Sequence, residues 1–129
     1  MARIAAHPAS APPSGGPYSP SVRIGALVAV AGQCGYRPDR SLVDGLAAQT
    51  RLALENLRDA LAASGGTPDD VLSVEVFLTD RDDFAGMNTV YAEFFTEPYP
   101  ARTTIYVGLR AGVLVEVSAL AVLPDTPGT

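Results

Sequence analysis

Between Asp44 and Ser64 the apolar residues Leu46, Ala53, Leu54, Leu57 and Leu61 recur at helical spacing, while Arg51, Glu55 and Arg58 fall off that stripe. This period predicts a helix with one buried face, Asp44 as its N-cap and Gly65-Gly66 as its stop. Glu55, Arg58 and Asp59 read as its solvated side. After the turn Thr67-Pro68-Asp69-Asp70 the period drops to two. Leu72, Val74, Val76 and Leu78 alternate with Ser73, Glu75, Phe77 and Thr79, which predicts a strand from Val71 to Thr79. Helical spacing returns at Phe84, Met87, Tyr91, Phe94 and Phe95, behind Asp80 or Asp82 as cap and ahead of Glu97-Pro98. The aromatic rings of this second helix are expected in the core.

The rest of the chain reads as strand and loop. His7 to Pro17 is rich in proline, alanine, serine and glycine and suits an extended lead-in, with order beginning near Tyr18. Val22 to Ala31 predicts two short strands turning near Gly25-Ala26, after which Gly32-Gln33-Cys34-Gly35 leaves as a loop. Thr103 to Leu109 and Val113 to Leu123 predict a final pair joined by Arg110-Ala111-Gly112. The order is ββαβαββ, an α+β chain of one domain over residues 1–129, with 1–15 as lead-in. From Val113 to Leu123 only Glu116 and Ser118 are polar, so neither face of that strand suits bulk water. Two helices cover one face of a sheet. The expected cover for the other is a second copy of the chain.

Composition removes several chemistries. The chain has nine arginines, no lysine and a net charge of −5. Without lysine there is no Schiff base and no P-loop lysine, hence no such cofactor site. Scattered arginines in an acidic chain argue against nucleic acid as partner. The single histidine, His7, has no HxxxH or CxxC companion and reads as loop, so no metal site is expected. No apolar run approaches the roughly 20 residues of a membrane span. A lone cysteine, Cys34, and a start without a signal-peptide core make the cytoplasm the expected compartment.

Two charged residues stand out against this background. Glu116 lies among valines, where a carboxylate must be hydrogen-bonded or protonated. It is either a positioned general acid/base or a structural acid in an ion pair or edge contact with water. Arg102 follows Pro100-Ala101 at the start of a strand, a rigid approach that suits two parallel bonds to a carboxylate; a surface salt bridge is the competing account. A hairpin turning at Ala111 would set Glu116 opposite Tyr106, on one face with Thr104 and Arg102 and roughly 13 Å from the arginine by strand rise.

Gly16-Pro17-Tyr18-Ser19, Ala31-Gly32-Gln33, Gln49 to Leu57, Val74 to Asp80, Asn88 to Phe95, Pro100-Ala101-Arg102 and Val115-Glu116-Val117 follow one another in a combination that resembles the RidA (YjgF) family over residues 16 to 122. The resemblance implies a chorismate-mutase-like fold, a homotrimer and sites between neighbouring subunits. It further implies hydrolysis of 2-imino acids, arising from enamines, to 2-keto acids and ammonia, without cofactor or metal. By the same analogy Arg102 holds the substrate carboxylate, Glu116 positions or activates water, Tyr18 walls the cleft and Gly32 lends backbone contacts. Ala31, Asn88 and Thr104 complete the implied substrate contacts. A polarised imine carbon needs little beyond orientation and a placed water.

The chain departs from the family pattern at Ala31, where serine is usual, at Cys34, where isoleucine or valine is usual, at Pro20 in place of glutamine, and at Thr104, where many members have cysteine. The Arg110-Ala111-Gly112 turn is also one residue short. These changes leave open a relative acting on a larger imine, and a non-catalytic module that binds carboxylate metabolites through the same cleft. A ribonuclease activity is also attached to the family name; an acidic chain without lysine and with one histidine argues against it here.

Overall fold

A computed structural model describes residues 2–124; Met1 and 125–129, the ends of the expected domain, lie outside the described residues. Six strands form one mixed sheet: β1 (Ile4–Ala6), β2 (Ser21–Ile24), β3 (Leu27–Gln33), β4 (Val71–Leu78), β5 (Ala101–Tyr106) and β6 (Val115–Val122). Helices α1 (Leu46–Ala63) and α2 (Phe84–Phe94) are inserted between β3 and β4 and between β4 and β5. The strand order is β1-β2-β3-β6-β4-β5, antiparallel throughout except for the parallel β4–β5 pair. The α+β class and the seven elements read from the sequence are therefore present, with one more strand at the N-terminal side.

That extra strand corrects the expected start of order. Ile4, Ala5 and Ala6 pair with Arg23, Val22 and Ser21. Three residues are too few to show a period, and their place comes from backbone bonding to the β2 edge. The next strands turn where expected, with Gly25 at φ 57°, the left-handed region in which a Cβ is costly. β3 runs on through Gln33, two residues beyond the sequence limit, because a register shift between Val30 and Gln33 keeps it paired to β6.

α1 buries Ala53, Leu54, Leu57, Ala60 and Leu61 against Val28, Val30, Val74, Val76, Val117 and Ala119 of the sheet. Each fully buried leucine or valine contributes on the order of 2 kcal/mol by removal from water. Asp44 does not cap this helix: the N-cap is Gly45, without a side-chain bond. Asp80 accepts from the Asp82 amide at 2.8 Å but caps a short 3-10 turn, and α2 starts behind Asp83. Leu72 was expected beside Val74 in the core and is 61% exposed. A register shift between Val71 and Ser73 turns it outward and gives its place to Val71.

The largest correction is the final hairpin. β5 and β6 are not neighbours; β4 lies between them, parallel to β5 and antiparallel to β6. Glu116 therefore pairs with Phe77, not Tyr106. Partners across a ladder share a face, so Glu116, Phe77 and Ile105 lie on the side away from the helices. Arg102 pairs with Val74 and Thr104 with Val76, on the helix side. The helix-free face carries Leu27, Leu72, Leu120 and Val122, each 44% or more exposed.

Candidate functional site

One cleft of about 620 Å³ opens beside the end of β3, lined among others by Tyr18, Ala31, Gly32, Cys34, Tyr36 and Glu116. Four of the seven site residues expected from the sequence meet there: Tyr18, Ala31, Gly32 and Glu116. At its base the Glu116 side chain lies against the backbone of Gly32. A Cβ on residue 32 would overlap Oε2 and stand 2.9 Å from Cδ, so the carboxylate would have to leave this position if residue 32 carried a side chain.

The second oxygen of the carboxylate, Oε1, accepts from the Cys34 thiol at 3.2 Å. Burial first, and then the Glu116 charge, push the Cys34 pKa up, so the thiol stays protonated and acts as a donor, not a nucleophile. From the sequence Cys34 is the lone cysteine and a departure from the family pattern. The structure adds this bond, which the residue's spacing could not reveal. Serine offers the same donor, and Cys34→Ser is expected to retain turnover within about threefold of the parent. Loss of activity in a folded Cys34→Ser protein, measured under saturating substrate, would exclude a donor-only role.

Two polar residues of α1 hold the cleft walls. The Asn56 amide donates to the carbonyls of Cys34 and Tyr36, both at 3.0 Å. Gln49, 2% exposed, donates to the Gly112 carbonyl at 3.0 Å and accepts from the Leu114 amide at 2.8 Å. Both belong to the segment Gln49 to Leu57 that carried the family resemblance, but helical periodicity marks only its apolar members. Arg110, read as part of a turn, also lines the cleft.

The other three expected residues form a separate cluster. Arg102 lies with its guanidinium carbon 4.7 Å from the Tyr91 ring centroid and 5.6 Å from that of Phe84, while Nη1 reaches the Met87 sulfur at 3.9 Å. Positions 84, 87, 88 and 91 form one stripe of α2, which places Asn88 on this side as well. The Asn88 Oδ1 and Tyr91 hydroxyl are buried without a hydrogen-bond partner. Burial raises the Tyr91 pKa to about 12, so the phenol is a neutral potential donor. Among the described residues no carboxylate lies within salt-bridge distance of Arg102; the pairs are Arg51–Glu93 and Arg58–Asp59. Phe84 is 39% exposed and belongs to this cluster more than to the expected core. Thr104 follows Arg102 on the same sheet face, half-buried.

Arg102 and Glu116 are thus not brought together within one chain. They occupy opposite faces, two strands and three residues apart, roughly 14 Å between backbones by strand spacing and rise. The chain has four of the seven expected residues in its cleft and three on the helix side of the sheet, Arg102 and Thr104 on β5 and Asn88 on α2.

The endoribonuclease L-PSP family model matches residues 8–123. A RutC family protein of Pyrococcus horikoshii is 43% identical over 115 residues, 87% of this chain and 91% of that protein. TdcF of Escherichia coli K12, which carries the provisional name reactive intermediate deaminase, is 37% identical over 117 residues, 87% of this chain and 91% of its own. A crystal structure of E. coli TdcF with bound serine matches with a TM-score of 0.88 at 33% identity, covering 94% of this chain and 99% of that one. RidA from an Antarctic Psychrobacter matches with a TM-score of 0.89 at 35% identity, covering 93% and 99%. The breadth of these matches establishes that the chain belongs to the endoribonuclease L-PSP family, the family of RidA-type proteins.

Proposed function

We propose that the chain hydrolyses reactive 2-imino acids, or the enamines that give rise to them, to 2-keto acids and ammonia. The observation that carries this reading is the Gly32–Glu116 contact: a carboxylate fixed in a cleft, with one oxygen held by a thiol, beside backbone that a side chain would otherwise cover. Family membership and the name of the TdcF relative support the same class of reaction. Glu116 takes a proton from the attacking water and passes one to the imine nitrogen. The resulting carbinolamine loses its hydroxyl proton by the same route, ammonia leaves and C=O replaces C=N, with no change of oxidation state.

The substrate carboxylate is held by Arg102 of a neighbouring copy, flanked by Asn88 and Thr104. Three features favour this over a site within one chain: Arg102 faces away from Glu116, it has no acid partner among the described residues, and the helix-free sheet face exposes the large apolar side chains Leu27, Leu72, Leu120 and Val122. A closed homotrimer satisfies all three, because each interface can join one Glu116 cleft to one Arg102. Among the described residues no helix is long and apolar enough to cross a membrane, and the cytoplasm is the compartment we propose. The test is ammonia release from imines generated in situ by an amino-acid oxidase from alanine, 2-aminobutyrate and leucine, with the oligomer sized in the same buffer. Acceleration by a trimer is expected. No acceleration by a well-folded trimer would leave a carboxylate-binding module, and a stable monomer would remove the shared site.

A further inference from the structure

Two of the nine arginines, Arg40 and Arg110, line the cleft that holds Glu116, and Glu116 is the single carboxylate in its lining. A chain of net charge −5 therefore gathers an excess of positive charge at one concave place. Neither cation is neutralised by a protein acid, since the ion pairs among the described residues lie elsewhere, at Arg51–Glu93 and Arg58–Asp59.

Both arginines are held in position. Arg40 has φ 71°, rare for a residue with a side chain, in a turn closed by its own amide to the Arg37 carbonyl at 2.8 Å. Its Nη2 donates to the Pro13 carbonyl at 3.3 Å, which ties the lead-in to the cleft. Arg110 lies on the connection from β5 to β6, where its carbonyl accepts from the Val113 amide at 3.0 Å. Buried Gln49 clamps the same connection through Gly112 and Leu114. The Tyr36 and Tyr18 phenols beside Arg110 raise its pKa further, so the charge is permanent. A Cβ at Gly15 would stand 3.5 Å from Arg110 Nη2 and 3.8 Å from the Tyr18 hydroxyl, so the two groups flank one spot.

Hydrolysis of a simple imino acid needs one carboxylate anchor, which the proposed reaction assigns to Arg102. The cleft guanidinia are then surplus for an alanine-type substrate. They have a use if the substrate brings a second carboxylate close to Glu116. The like charges would otherwise repel it, and an arginine fork matches a carboxylate in both charge and geometry. We propose that Arg110, supported by Arg40, forms an anion subsite for a side-chain carboxylate, and that the preferred substrates are imines of acidic amino acids. This rests on the imine-hydrolysis reading and specifies its substrate class.

The intact oligomer is tested in two ways. First, oxidases generate imines from aspartate and alanine, and kcat/KM is compared between them. The aspartate-derived imine is expected to lead by at least about tenfold, and Arg110→Ala to shift the ratio by a similar factor toward alanine. Arg110→Glu should shift it further, since it reverses the charge. Second, succinate and propanoate are titrated by calorimetry without turnover, with succinate expected to bind about tenfold more tightly and to lose that margin in Arg110→Ala. Hydrolysis of both imines with no diacid preference would overturn the subsite and leave the imine reading intact. So would an equal loss on both substrates in Arg110→Ala, which would make Arg110 a general anchor. If neither imine is hydrolysed faster but succinate binding still depends on Arg110, the subsite stands and the imine reading fails.

Discussion

Replacing Arg102 by alanine is expected to lower kcat/KM for any 2-imino acid by about two orders of magnitude or more. A guanidinium that fixes both position and plane of the substrate carboxylate contributes about 3 kcal/mol, and the reaction depends on that orientation while water attacks the adjacent carbon. Arg102→Lys should recover only part of the loss, because an ammonium restores charge without the planar fork. The side chain also packs between the Tyr91 and Phe84 rings, each contact worth roughly 1 kcal/mol, so a modest fall in melting temperature accompanies the kinetic effect. Imine disappearance in a variant confirmed to be oligomeric gives the answer. Near-normal turnover there would sink the anchor.

Glu116→Gln should act on the other half of the reaction, lowering kcat by about a hundredfold with KM changed little. The amide fills the same space beside Gly32 but cannot shuttle a proton. The two variants together make a sharper experiment. If every site draws Glu116 from one copy and Arg102 from its neighbour, co-assembled Arg102→Ala and Glu116→Gln chains regenerate some intact sites. Random mixing gives roughly a quarter of parental activity from two nearly inactive proteins. Failure to recover activity in proven mixed oligomers would falsify the shared site.

Much of the fold was legible because its long elements each bury one face. Leu54, Leu57 and Leu61 fix α1, and Val74, Val76 and Leu78 fix β4 whatever lies beside them. Periodicity reports which face a residue turns inward; it is silent on which strand is its neighbour. Hence β5 and β6 read as a hairpin, although β4 separates them, and the face shared by Arg102 and Glu116 was misassigned. Leu72 failed for a related reason: one irregular pairing step reverses alternation, and the sequence carries no mark of it. In the site, Glu116 was visible as an acid among valines and Arg102 as a cation behind a proline. Asn56 and Gln49 were not, because their work is done through the backbone of distant segments, and Arg110 was not, because a turn residue carries no period that shows which cleft it borders.

The place of β6 has a further consequence, for the order in which the molecule can form. It is the last of the six strands in the chain, yet it lies at the centre of the sheet, between β3 and β4. Until it arrives, β1–β2–β3 and β4–β5 are two ribbons with no ladder between them, and the apolar face of α1 has only half a surface to rest on. During synthesis the sheet therefore cannot be completed until Val115–Val122 is free to pair with β3 on one side and β4 on the other, and its formation depends on contacts distant in sequence. The same strand carries Glu116 into the cleft, so closure of the sheet and delivery of the acid are one event.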